Sequence, residues 1–453
     1  MPAASAAGDR PAAIALLDCY TGSNLGDAAI LDAAIANLRE RVPQLRLAGI
    51  SLSNFNMESR HEIEGIALCC TPRPFYAMSN WRGPSPAARG RDEQSGGWRN
   101  RLKAALPRVW AVLRRTYGLL MIVPREIDHF VRAWRTLSEF RLLVVCGGGQ
   151  IDDEWGGAWG HPFALFKWTV AARLAGRPVA VASVGVSRLR SRLSRLFIGA
   201  VLRLATYRSF RDLQSRELAA RIASSVRSDA VVPDLAFAMP AARLARSAGA
   251  RSLARGRPIV AVSPIAFGRP GYWPTPNAAT YERYLATMKQ LIERLLDRGY
   301  FLLFVWSSMP DDRLALSEIL ARFSAAERTQ LDSESSIAAI DHGRWEDLAA
   351  ALKDADLVIA SRLHSVILSL LLRKPPVAIS FDPKVDRLME DFGDTHCLLD
   401  IRTFTADEVL ERADFVAASL AVRQGKIDAF LAHVSKRLAD QFDDLLTLCS
   451  GRT

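Results

Sequence analysis

Short apolar runs closed by turn residues, with helical stretches between them, constrain this chain more than any other feature. They fall at 13–17, 47–52, 142–146 and 179–183 in the first half, and at 259–263, 301–305, 357–360 and 377–380 in the second. Runs dominated by Val, Ile, Leu and Ala, without a regular polar alternation, read as strands covered on both faces. Parallel neighbours need a crossover connection, which the intervening helices supply, so the expected class is α/β with parallel sheets. At 453 residues the chain is too long for one core of ordinary size. The grouping predicts two Rossmann-like domains, 1–240 and 255–453, joined through a stretch at 241–257 rich in Ala, Arg, Ser and Gly.

Composition narrows the partners. Hydrophobic residues at 49% and charged residues at 24% are globular values and exclude a mostly disordered chain. A formal charge of +11 calls for an anionic partner: a phosphorylated substrate, an anionic membrane surface or nucleic acid. No helix-turn-helix, zinc-finger or RNP pattern is present, so no nucleic-acid partner is expected. The cysteines, at 19, 69, 70, 146, 397 and 449, form no CxxC pair and no zinc-site spacing. They are expected to be reduced thiols of a cytoplasmic protein, with neither metal nor cofactor. Residues 1–10 lack a secretory signal pattern, and no uninterrupted apolar run reaches the ~18 residues of a membrane span.

One stretch breaks the alternation. Residues 82–115 carry nine Arg/Lys against Asp92 and Glu93, and pass from a Pro- and Gly-containing loop into a helical pattern with Leu102, Leu106, Val109, Trp110 and Leu113 on one face. Two readings stand: a helix at 98–122 that lies on the inner membrane surface, or a helix packed on its own domain with a solvated basic face.

Four constellations hold candidate chemistry. Residues 21–27 form a Gly-rich turn between the first strand and a helix, where Asn24, Gly26 and Asp27 either cap the helix or, with its exposed N–H groups, hold an anion. Asp27 is alternatively a group that orients or deprotonates a sugar hydroxyl. Residues 144–150 end a strand in Gly147, Gly148 and Gly149, followed by Asp152, Trp155, Trp159 and His161, which suits either a sugar site or a tight turn with core tryptophans. Arg211, Asp212 and Ser215 follow a short strand and Asp234 follows Pro233, as an anion grip or a structural Arg–Asp pair. Last, Arg362 and His364 end one strand while Asp382 and Lys384 end the next, so four ionisable groups converge at one sheet edge as a small, multiply charged anion would require.

Taken in order, Asn24–Gly26–Asp27, Gly147–Gly148–Gly149, Arg211–Asp212–Ser215, Pro233–Asp234, Arg362–Leu363–His364 and Asp382–Lys384 resemble the polysaccharide pyruvyltransferase family. The resemblance spans most of 13–395. It implies a GT-B-like pair of domains with the active site in the cleft between them, phosphoenolpyruvate (PEP) as donor, and a sugar diol of a free or lipid-linked glycan as acceptor. It further implies PEP contacts from Arg211, Arg362, His364, Ser365 and Lys384. His364 is then the expected acid or acid/base, with an imidazole near its ordinary pKa of ~6.5. Arg362 serves as a catalytic cation, and Asp27 or Asp152 as the group accepting a hydroxyl proton. Asn24, Gly26, Gly148, Gly149, Asp152, His161, Asp234 and Asp382 are expected on the acceptor side of the cleft. The competing expectation is a GT-B glycosyltransferase using a nucleotide sugar.

Overall fold

The computed structural model describes residues 12–19, 24–70, 107–154, 156–273, 275–307, 311–333, 336–339 and 343–451. The turn residues 20–23, the loop part of the basic stretch at 82–106, and Trp155 lie outside the described residues. The rest of the basic pattern enters helix Pro107–Leu137, whose side chains are described only from residue 122 onward, so the face expected at 98–122 also lies outside. Among the described residues no helix is long and apolar enough to cross a membrane.

Two wholly parallel sheets form the frame. The first holds β1 (Ala13–Leu17), β2 (Arg46–Ser51), β3 (Glu64–Ala67), β4 (Leu142–Cys146), β5 (Val179–Val184), β6 (Tyr207–Phe210) and β7 (Ala230–Val231), in the order β3-β2-β1-β4-β5-β6-β7. The second holds β8 (Ile259–Ser263), β9 (Phe301–Phe304), β10 (Ile337–Ala339), β11 (Leu357–Ala360), β12 (Pro376–Ser380) and β13 (Leu398–Asp400), in the order β10-β9-β8-β11-β12-β13. The central strands β1, β4, β5, β8, β9, β11 and β12 are buried along their whole length, which is why their sequences show no polar alternation.

In both sheets the strand order reverses once, between β1 and β4 and between β8 and β11. Crossovers leave toward opposite faces at such a point, opening a crevice at the carboxyl ends of the two strands where α/β sheets receive ligands. The first crevice therefore falls at Asp18 and Gly147, the second at Pro264 and Ser361.

Two further features join the halves. Helix Leu420–Ser450 leaves the second sheet and runs back over the first, burying Ile427, Val434, Leu438, Phe442 and Leu445 at three-, four- and seven-residue spacings. Its Gln441 donates to Ser183 Oγ at 2.9 Å and accepts from Tyr207 at 3.3 Å and from Ser209. Asp32, on helix Leu25–Arg41, bonds His61 Nδ1 at 2.6 Å, Trp345 Nε1 at 2.7 Å and Arg243 at 3.1 Å, so one buried carboxylate ties the first half, the connection and a second-half helix together.

Candidate functional site

Each crevice brings its own chemistry. After β4, Gly147 and Gly148 adopt φ of +53° and +63°, a left-handed backbone that favours glycine, and a Cβ on Gly147 would lie 2.8 Å from Ile30. The turn directs Gln150 back toward β1. Its Oε1 accepts from Cys19 N at 3.0 Å and its Nε2 donates to Asp18 Oδ1. Asn24 caps helix Leu25–Arg41 by accepting from Gly26 N at 3.0 Å, and its amide donates to Asp27 Oδ2 at 2.7 Å. Burial raises the Asp27 carboxyl above its usual range; neighbouring Asp234 adds to this, while His364, Lys384 and Arg211 oppose it.

The second half closes on this floor. Leu25 N donates to Ser307 O at 2.9 Å, and the His364 ring lies so close to the backbone of Gly26 that a Cβ there would sit 1.9 Å from Nδ1. Only glycine leaves room for the imidazole at that helix start. His364 Nε2 stands 3.9 Å from Asp234 Oδ2 and is buried without a hydrogen-bond partner. Burial lowers the imidazole pKa below its ordinary value, and the fields of Asp234 and Asp27 recover only part of the loss. The unperturbed histidine expected from sequence is thus a desolvated, neutral one near pH 7.

The cations also differ from an open clamp. Arg362 makes a bidentate pair with Asp312, Nη2–Oδ1 2.6 Å and Nε–Oδ2 3.1 Å, and Asp312 is fully buried. Arg211, 8% exposed, is held at 3.5 Å from Asp212 and 3.3 Å from Asp234, with Nη2 left unpartnered toward Gly185. Both carboxylates are fixed by capping: Asp212 accepts from Ser215 N at 2.7 Å and Asp234 from Ala236 N at 3.0 Å. One buried and one half-buried guanidinium need compensation, and the fold supplies it internally. Lys384 is the more available charge, half-exposed, 3.7 Å from Asp382 and 3.6 Å from where a Cβ on Gly149 would stand.

A cavity of about 1610 Å³ lies between the halves. Asn24, Asp27, Gly149, Asp152, His161, Arg211, Arg362, His364, Asp382 and Lys384 all line it, so the structure brings together ten of the residues expected from sequence. Gly26, Gly148, Asp234 and Ser365 do not line it. Gly26 instead makes space for His364; Gly148 accepts from Gly185 N at 2.7 Å; Asp234 supports Arg211 from below; and Ser365 is fully buried, 3.4 Å from Ser263 Oγ. Asp152 accepts from Glu154 N at 2.7 Å, and His161, which opens helix His161–Leu174, has a pKa lowered by burial.

Sequence reasoning missed three groups. Asp18 and Gln150 sit on the floor, and the place of Asp18 directly after a central strand was the signal for it. Asp312, the partner of Arg362, carried no signal. An aromatic wall of Phe267, Trp273 and Phe381, with ring centroids 5.1–5.6 Å apart, faces the cavity beside Arg362, whose guanidinium lies 5.9 Å from the Phe381 ring.

A family model described as polysaccharide pyruvyl transferase matches residues 24–383. Comparison with curated proteins returns no match. Among solved structures, a putative UDP-N-acetylglucosamine 2-epimerase from Listeria monocytogenes is similar at TM-score 0.56 and 10% identity, covering 98% of each chain. UDP-GlcNAc 2-epimerase from Neisseria meningitidis bound to UDP-GlcNAc gives TM-score 0.54 and 9% identity, covering 97% of this chain and 100% of that one. A glycosyltransferase from Rickettsia africae gives TM-score 0.54 and 9% identity, covering 98% and 100%. At such identities the likeness shows the fold, which is the two-domain GT-B arrangement with its cavity in the cleft.

Proposed function

Because the chain belongs to the polysaccharide pyruvyl transferase family, we propose that it transfers the pyruvyl group of PEP to a sugar diol of a cell-surface glycan or its lipid-linked precursor, forming a ketal and releasing phosphate. The observation that carries this reading is the meeting of His364, Lys384, Arg211 and Arg362 with Asp27 in one cavity formed at both switch points. A compact anion with a phosphate and a carboxylate needs cations on one side, and the diol needs proton acceptors on the other.

Lys384 and the unpartnered Nη2 of Arg211 hold the anionic groups. Arg362, fixed by Asp312, supplies a preorganised positive field beside them, the kind of electrostatic contribution worth about 10²–10³ in rate at comparable sites. Neutral His364 gains proton affinity once a phosphate lies beside it, and as imidazolium it protonates the departing phosphate. The donor fills only a small part of the 1610 Å³ cavity, and the remainder, walled by Phe267, Trp273 and Phe381, receives the glycan. The reading requires no metal or cofactor, and it sets the protein at the cytoplasmic face, where PEP is made.

The rival nucleotide-sugar reading rests on fold likeness alone. Incubating the enzyme with PEP and the host's envelope oligosaccharides, free and lipid-linked, should release phosphate and add one pyruvyl increment to a glycan by mass spectrometry. Transfer of a hexose from a nucleotide sugar, with PEP inert, would replace this reading with its rival.

A further inference from the structure

The reaction proposed above needs a proton at the methylene carbon of PEP, and neither Lys384 nor neutral His364 provides it without giving up a role already assigned. Asp18 is placed to do so. It ends β1 at the first switch point, is 1% exposed, and lines the cavity floor. Gln150 occupies Oδ1, while Oδ2 is buried without a hydrogen-bond partner. Gln150 is itself fixed by Cys19 N, so the carboxyl has one orientation and one free oxygen. Its charged neighbour is Asp27 from helix Leu25–Arg41, the thiols of Cys19 and Cys146 feel its field, and among the described residues no cation pairs with it. Burial first, and the neighbouring Asp27 second, raise its pKa well above the usual carboxylate range, so a neutral carboxyl persists where most aspartates are ionised.

PEP carries negative charge on its phosphate and its carboxylate, and its methylene is the only uncharged end. A floor of two carboxyls sharing few protons repels the anionic groups and admits the methylene. We propose, resting on the reading above, that Asp18 delivers the proton to the methylene carbon of PEP and that Asp27 receives the proton of the first attacking sugar hydroxyl.

The steps balance. The Asp18 O–H bond breaks as the π pair of PEP forms the new C3–H bond, leaving C2 as an oxocarbenium-like centre. A sugar oxygen bonds to C2 while its proton passes to Asp27. The C2–O bond to phosphorus then breaks and phosphate leaves with the His364 proton. The second hydroxyl closes the ketal, returning its proton to Asp18, and the proton on Asp27 restores His364 through solvent. Two hydroxyl protons replace the two delivered to carbon and to phosphate.

Asp18→Asn keeps shape and removes the proton. Calorimetry with PEP should show binding retained, while phosphate release with PEP and the envelope oligosaccharides falls by about 10²–10⁴-fold. A donor that must be protonated loses activity as pH rises through its pKa, so kcat/KM of the wild type should fall on the alkaline side in two limbs, one from His364 and one from Asp18, and residual activity of Asp18→Asn should keep the histidine limb and lack the Asp18 limb, the one that follows Gln150. The Gln150 hydrogen bond favours the carboxylate, so Gln150→Leu should move the Asp18 limb to higher pH, a shift that a merely structural role would not produce. Turnover near wild type in Asp18→Asn, loss of PEP binding in that variant, or an unmoved Asp18 limb in Gln150→Leu overturns this assignment. Absence of PEP binding by the wild type would instead sink the reading on which it rests.

Discussion

Gly26 shows how much of the site depends on a side chain that is absent. The His364 ring occupies the space where a Cβ would be, at 1.9 Å from Nδ1, so Gly26→Ala must push the imidazole off the helix start. The overpacking should cost about 1–3 kcal/mol, well within the stability of a domain. Activity should fall much further, because the ring leaves the neighbourhood of Asp234 and the cavity floor. Thermal melting beside phosphate release checks this: a folded protein with turnover near wild type would show that the position of His364 is not needed. Glycine at a strand-to-helix turn was visible in the sequence, but its reason was not, since a glycine that admits a ligand and one that admits another domain's side chain read alike. The same ambiguity affected the arginines. Arg211 and Arg362 stood out as cations at strand ends, while the carboxylates that fix them, Asp234 and Asp312, lie 23 and 50 residues away in sequence. Asp18 carries one local sign, its place directly after a central strand, while the partner that gives it meaning, Gln150, stands 132 residues on.

Among elements, the central strands were legible because burial on both faces leaves a run of apolar residues, and every such run expected from sequence is a strand. The short strands β3, β7, β10 and β13 were not, since two to four half-exposed residues at a sheet edge carry too little patterning to separate from loop. Helix Leu420–Ser450 has a clear apolar face, yet periodicity does not say which sheet it covers. Asp32 lies on helix Leu25–Arg41 and holds Trp345 at the start of helix Trp345–Asp354, with His61 and Arg243 as further partners. Burial works against its ionisation, and hydrogen bonds from His61 and Trp345 with the charge of Arg243 overcome that, holding the carboxyl below its usual range. A lowered folded pKa means that the unfolded chain binds protons first on acidification, so the stabilisation is whole above about pH 5 and is lost as pH falls through the folded value. Asp32→Ala should therefore cost about 1–3 kcal/mol at neutral pH, because the buried donors of His61 and Trp345 lose their acceptor while Arg243 keeps Glu346. The gap from wild type should narrow in acid. A denaturant series across pH checks both, and a constant or negligible difference would mean that the junction is held by packing alone.

At the scale of the molecule, no half owns the site. The carboxyls Asp18 and Asp27 belong to the first half and His364, Lys384 and Arg362 to the second, while Leu25 N–Ser307 O and the Gly26–His364 approach close the seam between them. A ligand seated there binds only when both halves are folded and joined, so its binding energy stabilises the whole chain and not one domain. Donor at 100 times its Kd should add about 2.7 kcal/mol. With the crossing helix Leu420–Ser450 and the Asp32 junction coupling the sheets, that gain should appear as one transition moved to higher temperature, not as one of two transitions moved alone. PEP should produce the shift, and the sequence-compatible rival, a nucleotide sugar represented by UDP, should not. Replacing Lys384 by Ala should remove most of the PEP shift without lowering the melting temperature of the free enzyme, since this lysine is half-exposed and its contact with Asp382 is long, at 3.7 Å. A melt in which UDP moves the transition and PEP leaves it in place would reassign the cleft to the chemistry of a sugar nucleotide, whatever the family of the chain.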